Sequence, residues 1–380
     1  MHNKNLYIIT DYYEPNTALI NRFLAFAKGY GELGVNVQAV FVFPNKNFDK
    51  VVEKYENVNF IYLWEKYKIK NRYLKFLICC YYLLLFLLKL KKNDTIILYG
   101  LIHFLWVFRL KKSIQLYHER TESPDVVERQ YGLIGNMKHK LYLNTCKKTE
   151  GLFVISPSLN EYFVREVGIP QNKVHIINMI VDLSRFDRIN IYKKTNTIAY
   201  CGAISERKDG ISYLLKAFAV VLKKHPNYKL NLIGKFANKE VKRDVYHLIK
   251  QLKIEKSITL TGEVSSEEMP ILLSEAKILA LSRPENKQAQ YGFPTKLGEY
   301  LMTGNPVVIT RVGDFDKYLT DKENVIFAKP NDEVDFANKL KWTIENYKQA
   351  TEIGLKGKNV AKDSFNYKIE CQKVIDVVFP

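Results

Sequence analysis

The sequence predicts an α/β protein built as two successive doubly wound domains, each a parallel sheet flanked by helices. Short apolar or β-branched runs alternate with longer helical patterns along the whole length, as repeated βα units do. The alternation stops at a polar stretch, Asp187 to Asn196 (DRINIYKKTN), and then restarts. The chain has 380 residues, long for one domain when about 150 residues is typical. The expected boundaries are 1–186 for the first domain and 187–362 for the second, with 363–380 a C-terminal helix for which packing back on the first domain is one option.

Taken in order, the first domain offers strands near Leu6 to Thr10, Val35 to Phe43, Val58 to Leu63, Thr95 to Leu101, Ile114 to Tyr117, Leu152 to Ser156 and Val174 to Ile177, with helices in the gaps. Past the polar stretch, strands are expected at Thr197 to Cys201, Lys229 to Ile233, Ile258 to Thr261, Ile278 to Leu281, Val307 to Thr310 and Val325 to Ala328. Ligands of such sheets gather at the carboxyl ends of strands, so function is sought in the loops that follow them. Gly29, Gly31 and Gly34 match G-x-G-x-x-G, but a dinucleotide fingerprint follows a strand and opens a helix. Here the glycines close a helix that starts near Thr17 and lead into the strand at Val35, the place of a helix end. No Walker A, G-x-S-x-G or H-E-x-x-H sequence occurs.

Hydrophobic residues make up 47% and charged residues 26%, which excludes long disorder, collagen and a coiled-coil rod. Lys and Arg number 58 against 40 acids, a net +18 that favours an anionic partner. Cys79, Cys80, Cys146, Cys201 and Cys371 form no C-x-x-C pair and have no histidines at metal spacing, so neither a zinc site nor a disulfide framework is expected. The first apolar stretch, Leu6 to Ile9, is too short for a secretory core, and a reducing cytoplasm is the expected compartment. Phe76 to Leu88 (FLICCYYLLLFLL) carries no charge over 13 residues. As a helix it would be roughly 20 Å long, short of the ~30 Å hydrocarbon core, so it should not span a membrane. It reads either as a buried helix or as a helix lying on a lipid surface, because Lys66 to Lys112 holds eleven Lys or Arg against Asp94 alone. Basic residues around an apolar helix, rather than around an aromatic-studded sheet, argue against nucleic acid.

Two segments carry candidate chemistry. The loop after the first strand of the second domain reads Gly202-Ala-Ile-Ser-Glu-Arg207-Lys208-Asp-Gly210 and runs into the helical ISYLLKAFAVVLKK. A glycine after a strand, two cations and a helix N-terminus together suit phosphate. Farther on comes Tyr291-Gly292-Phe293-Pro294-Thr295-Lys296-Leu-Gly-Glu299. Thr295 is expected to cap a short helix that sets Lys296 and Glu299 on one face, before Gly304 ends it and Pro306 opens a buried strand.

In this order the anion loop, TGEVSSEEMPILLSEAKILAL, FPTKLGEYLMTGNPVVIT and RVGDFDKYLTDKENVIF resemble the C-terminal half of GT-B glycosyltransferases, specifically the retaining glycosyltransferase family 4. VISPSLNEYFVREVGIPQNKVHIINMIVDLSRF, closing in Asp182 and Phe186, is similar to that family's stretch before the donor domain. The resemblance implies a GT-B fold, two Rossmann-like doubly wound domains facing across a cleft, with the acceptor side in 1–186 and the nucleotide-sugar side in 187–362. It implies a hexosyltransferase-type enzyme moving a sugar from a nucleotide diphosphate sugar, with retention, to a membrane-associated, lipid-linked glycan acceptor in surface polysaccharide biosynthesis. Such an enzyme would sit peripherally on the inner face of the cell membrane, and neither cofactor nor metal is expected.

Carried over by position, Lys208 with Arg207 would hold the donor diphosphate at Gly202, Glu299 would accept hydrogen bonds from the ribose, and Gly262 to Val264 would offer backbone to the base. Gly292, Phe293, Pro294, Thr295 and Lys296 would face the phosphates and transferred sugar, with Gly313 and Asp314 nearby. His118, ending the strand IQLYH, would lie near the reacting sugar, and Asp11 and Asn16 would help receive the acceptor. His118, Lys208 and Glu299 are the expected catalytic set. His118 also reads as a structural hydrogen-bonding residue, since Glu119-Arg-Thr-Glu122-Ser-Pro124 follows it. Two departures stand out: Tyr291 replaces the first glutamate of the family's paired motif, and Ala203 replaces an arginine common after the loop glycine. They match an F-P-x-K-x-x-E-Y subgroup and imply a different sugar pocket. The rivals are a GT-B nucleotide-sugar epimerase and a noncatalytic membrane-bound subunit that kept the fold.

Overall fold

The computed structural model describes residues 5–15, 17–43, 50–64, 71–124, 132–187, 189 and 194–380. They fall in two compact units, Met1–Ile180 with Tyr367–Pro380, and Val181–Asn366.

In the first unit, strands β1 (Asn5–Thr10), β2 (Asn36–Phe41), β3 (Val58–Tyr62), β4 (Thr95–Tyr99), β5 (Gln115–Arg120), β6 (Gly151–Val154) and β7 (Val174–Ile176) make one parallel sheet in the order β3-β2-β1-β4-β5-β6-β7. Strand order reverses between β1 and β4, the kind of place where α/β sheets bind ligands. Helices cover both faces, which is why β4 (TIILY) is buried throughout.

Helix α1 (Ala18–Glu32) begins at Thr17, whose side chain accepts from the Ile20 N–H, and buries Ile20, Phe23, Phe26, Ala27 and Tyr30 against Leu6, Ile8 and Ala39. Two of the three singled-out glycines are close-approach positions. A Cβ at Gly29 would meet Cys371 Sγ and one at Gly31 the Glu56 carbonyl, whereas Gly34, φ +81°, turns the chain into β2. The helix Tyr367–Val378 packs on α1 through Tyr367, Cys371, Val374 and Val378. Its Glu370, wholly buried, accepts from the Asn178 N–H at 2.8 Å and from Lys373 Nζ at 2.6 Å.

Helix α2 (Arg72–Lys89) contains the uncharged run and starts at Asn71, whose side chain accepts from the Tyr73 and Leu74 N–H groups. It is buried on one side only, through Cys79, Leu83, Phe86 and Leu87. The opposite side is also apolar and is exposed: Leu77, Tyr81 and Leu88 keep 63%, 59% and 78% of their surface. No helix among the described residues is long and apolar enough to cross a membrane. Helix α3 (Gly132–Cys146) contributes Tyr142 to the interior.

The second unit holds β8 (Thr195–Cys201), β9 (Lys229–Ile233), β10 (Ile258–Gly262), β11 (Ala276–Leu281), β12 (Val307–Thr310) and β13 (Ile326–Ala328), all parallel, in the order β10-β9-β8-β11-β12-β13. Its order reverses between β8 and β11. Helix α4 (Glu206–Asp209) is a single turn, α5 (Ile211–Leu222) buries Ile211, Leu214, Leu215, Phe218 and Val221 at helical spacing, and α6 (Thr295–Met302) follows Pro294. The α/β class with two doubly wound parallel sheets is as the sequence predicts.

Candidate active site

β8 and β11 flank the reversal point of the second sheet, and the loop leaving β8 carries the anion-loop glycine. Gly202 holds φ at +127°, a conformation closed to side chains, and its N–H donates to the Ile233 carbonyl at 2.9 Å. A Cβ at this position would run into Lys296 Nζ. Ser205 caps α4, its Oγ accepting from the Lys208 N–H at 3.2 Å, and Gly210, φ +58°, ends that turn and starts α5.

Arg207 and Lys208 stand exposed on the turn, while Asp209 is buried beneath it. Asp209 Oδ2 accepts from Lys296 Nζ at 2.6 Å and from the Tyr200 hydroxyl at 2.7 Å. Burial pushes the Asp209 carboxyl up, but the Lys296 charge, the hydrogen bonds from Lys296 and Tyr200 and the Arg283 charge outweigh it and hold the group below its ordinary value. Lys296 Nζ also lies 4.6 Å from the centre of the Tyr200 ring. The cation fixed against the glycine of the loop is therefore Lys296.

Lys296 comes from the first turn of α6. The cap position of that helix is Pro294, φ −74°, with no side-chain cap bond, which corrects the expectation for Thr295: proline supplies the extended entry and Thr295 is already helical. Three residues after Lys296, Glu299 Oε1 accepts from Arg185 Nη1, and Arg185 Nη2 donates to the Ser266 carbonyl at 2.6 Å. On the buried side, the Tyr300 hydroxyl accepts from the Cys201 N–H at 2.7 Å and pins α6 to the end of β8. The structure thus brings Gly202, Lys296 and Glu299 together and adds Asp209, Tyr200 and Arg185, which the sequence reading did not single out. Asp209 directly follows the two loop cations and Arg185 lies between Asp182 and Phe186; adjacency to those motifs was the only signal available for either.

The remaining donor-side residues sort by burial. The Phe293 side chain is packed, with the rings of Phe315, Tyr318 and Phe365 at 5.1, 5.6 and 5.4 Å, which leaves its backbone as the part on the loop. Gly292 and Pro294 are buried beside it. Gly262, φ +77°, ends β10 and its carbonyl accepts from the Gly234 N–H at 2.7 Å, with Val264 half-buried two residues on. Gly313, φ +60°, packs on the Ala289 carbonyl, and Asp314 pairs with Lys317 at 2.9 Å.

In the first unit, Asp11 follows β1 at the reversal point. Its carboxyl is pushed up to about 6 by burial, against the opposing effects of a backbone hydrogen bond from Leu101 and the Lys75 charge. Asn16 lies outside the described residues. His118 is completely buried in β5, with Nδ1 3.2 Å from the Leu98 carbonyl and Nε2 3.0 Å from the Tyr142 hydroxyl. The carbonyl can only accept, so Nδ1 carries the proton and Nε2 accepts from Tyr142. Burial, with the Arg120 charge, drops the imidazole to about 3 and keeps it neutral. These contacts brace His118 between strand and helix, the structural role its sequence context also allowed.

A glycine loop with an ammonium fixed on it, and a carboxylate one turn farther along the same helix, suits a ligand with both phosphates and hydroxyls. Residues 184–360 match the family model for glycosyl transferases group 1. The match lies within the second unit and spans less than half of the chain. The chain is 18% identical over 282 residues to mannosylfructose-phosphate synthase of Agrobacterium fabrum strain C58, a match that covers 70% of this chain and 60% of the length of that relative. Among solved structures, sucrose-phosphate synthase from Thermosynechococcus elongatus superposes with a TM-score of 0.77 at 17% identity, covering 98% of each chain. Anabaena Alr3699/HepE in complex with UDP and glucose does so with a TM-score of 0.77 at 14% identity, covering 99% of each. At these identities the likeness to solved structures is one of fold, and the fold is GT-B.

Proposed function

We propose that the chain is a retaining glycosyltransferase that moves a sugar from a nucleotide diphosphate sugar to a membrane-associated, lipid-linked glycan in surface polysaccharide assembly. The observation that carries the donor side is the fixing of Lys296 on Gly202 by Asp209, with Glu299 one turn on. A diphosphate on the loop would meet the Lys296 ammonium and the loop N–H groups, with Lys208 and Arg207 adding charge from the exposed turn, and the ribose would meet Glu299. These groups neutralise the leaving diphosphate as its charge develops, so the proposed transfer needs no divalent cation. The UDP and glucose bound by the Anabaena relative fit the same ligand class. No residue stands out as a covalent nucleophile, and the leaving phosphate itself would assist the incoming hydroxyl on the same face.

The membrane side rests on α2. Its exposed apolar stripe, with Lys89 at the end of the helix and Lys91 and Lys92 just beyond, has the composition of an interfacial helix. The deciding experiment incubates the protein with nucleotide sugars, with and without lipid-linked acceptors, and reads the anomeric configuration of the product by NMR. Transfer only with acceptor, with the donor's anomeric configuration kept, supports the proposal. Acceptor-independent change of the nucleotide sugar would make the protein an epimerase, and no turnover with any donor would make it a noncatalytic subunit.

A further inference from the structure

Arg185 occupies the end of the 3-10 turn Leu183–Arg185, and both flanks of that turn are fixed. The Asp182 carboxylate accepts from the Ser184 N–H at 3.1 Å, and Phe186 is buried. From there the guanidinium reaches in two directions, to Glu299 Oε1 on α6 and to the Ser266 carbonyl in the loop after β10. Arg185 and Glu299 side chains keep only 22% and 18% of their surface. Glu299 Oε2 has no partner among the described residues. One oxygen of the carboxylate is thus clamped and the other left to meet a donor.

We propose that Arg185 is a positioning residue of the donor site: it holds Glu299 so that Oε2 faces the ribose hydroxyls, and it ties that carboxylate to the loop that would face the base. The inference rests on the reading of Glu299 as the ribose acceptor. Two physical arguments support a role in binding as well as in folding. A glutamate has three rotatable side-chain bonds, and fixing it in advance saves an ordering cost equivalent to roughly 2- to 10-fold in affinity. Glu299 is also only three residues from Lys296, so an uncompensated carboxylate there would repel a diphosphate on the loop; the guanidinium offsets that charge.

The test measures binding of UDP, GDP and ADP, and of their 2′,3′-dideoxy forms, by calorimetry. It uses the wild-type protein, Glu299→Gln, Arg185→Ala, Arg185→Lys and the Glu299→Gln/Arg185→Ala double variant, each with a melting curve. For the nucleotide that binds tightest, the wild type should prefer the ribose form about tenfold or more. Glu299→Gln and Arg185→Ala should each flatten that preference, the double variant should be no flatter than either, and Arg185→Lys should restore part of it. A general loss of stability would weaken both nucleotide forms equally and leave the ratio intact, so an intact ratio in Arg185→Ala overturns the proposal. Should Arg185→Ala not fold, a full preference in Arg185→Lys, whose ammonium cannot hold both partners, overturns it instead. If Glu299→Gln keeps the preference, the ribose reading of Glu299 falls and the role of Arg185 with it. If no nucleotide binds the wild type, the glycosyltransferase reading itself falls.

Discussion

Lys296 Nζ lies 2.6 Å from Asp209 Oδ2, an ion pair with little solvent access that joins residues 87 positions apart. Removing one partner of a buried pair typically costs about 3–5 kcal/mol. Asp209→Asn and Lys296→Met should each lower unfolding free energy by an amount of that order. The double variant should lose clearly less than the sum, because it leaves no orphaned charge. Urea unfolding of the four proteins measures the coupling. Strict additivity would mean that the two side chains hold their places independently.

His118→Ala should damage the fold more than the reaction. The substitution opens a cavity and strips partners from the Leu98 carbonyl and the Tyr142 hydroxyl, each buried polar loss costing about 1–3 kcal/mol. Turnover per folded molecule, from kinetics and melting on one preparation, should stay near the wild-type value. A hundredfold loss of turnover with an unchanged melting point would return His118 to the catalytic set. A lowered histidine also makes the fold acid-labile. With a folded pKa of about 3 against the ordinary histidine value of 6.5, the unfolded chain binds the extra proton, so stability is lost as pH falls from 6.5 toward 3.

Asp11 works in the opposite sense. Its carboxyl is raised from 3.8 to about 6, so between those values the native state binds the extra proton and stability falls as pH rises. Asp11→Asn keeps an acceptor for the Leu101 N–H without the charge. It should raise stability at pH 7 by about 3 kcal/mol, with the advantage shrinking toward pH 4. Melting curves of both proteins from pH 4 to 7 decide it, and parallel profiles would mean that Asp11 titrates normally.

The strands were legible because each is a short β-branched or apolar run broken by turn residues, and local composition of that kind survives folding. The glycine loop and the Lys296 to Glu299 spacing were legible for the same reason, being local. What sequence could not show was pairing at a distance: that Asp209 takes Lys296 and that Arg185 takes Glu299 depends on how strands 80 or more residues apart are laid side by side. The burial of His118 escaped too, since a polar residue at a strand end gives no sign of the helix that closes over it. In α2 an unbroken apolar run has no periodicity to tell a buried face from an open one.

That open face sets a prediction for lipid. With roughly 1 kcal/mol per cation near an anionic leaflet, the protein should bind vesicles containing phosphatidylserine or phosphatidylglycerol and leave zwitterionic ones, with binding weakened by salt. Reversing Lys89, Lys91 and Lys92 to Glu should abolish flotation, and changing Leu77, Tyr81 and Leu88 to Ser should weaken it at every salt concentration. Absence of flotation with anionic vesicles would leave the stripe for a protein partner.

The helix Tyr367–Val378 completes the core under α1, although the whole of Val181–Asn366 precedes it in the chain. The ribosome therefore releases the first unit unfinished. At about 5–20 residues per second, roughly 10 to 40 s pass before Cys371, Val374 and Val378 can reach Phe26, Ala27 and Tyr30. The second unit is continuous in sequence and has no such wait, so the order of folding in the cell should run against the order of synthesis. The nascent α1 face, rich in aromatic rings, is the stretch that a chaperone would have to shelter in the meantime.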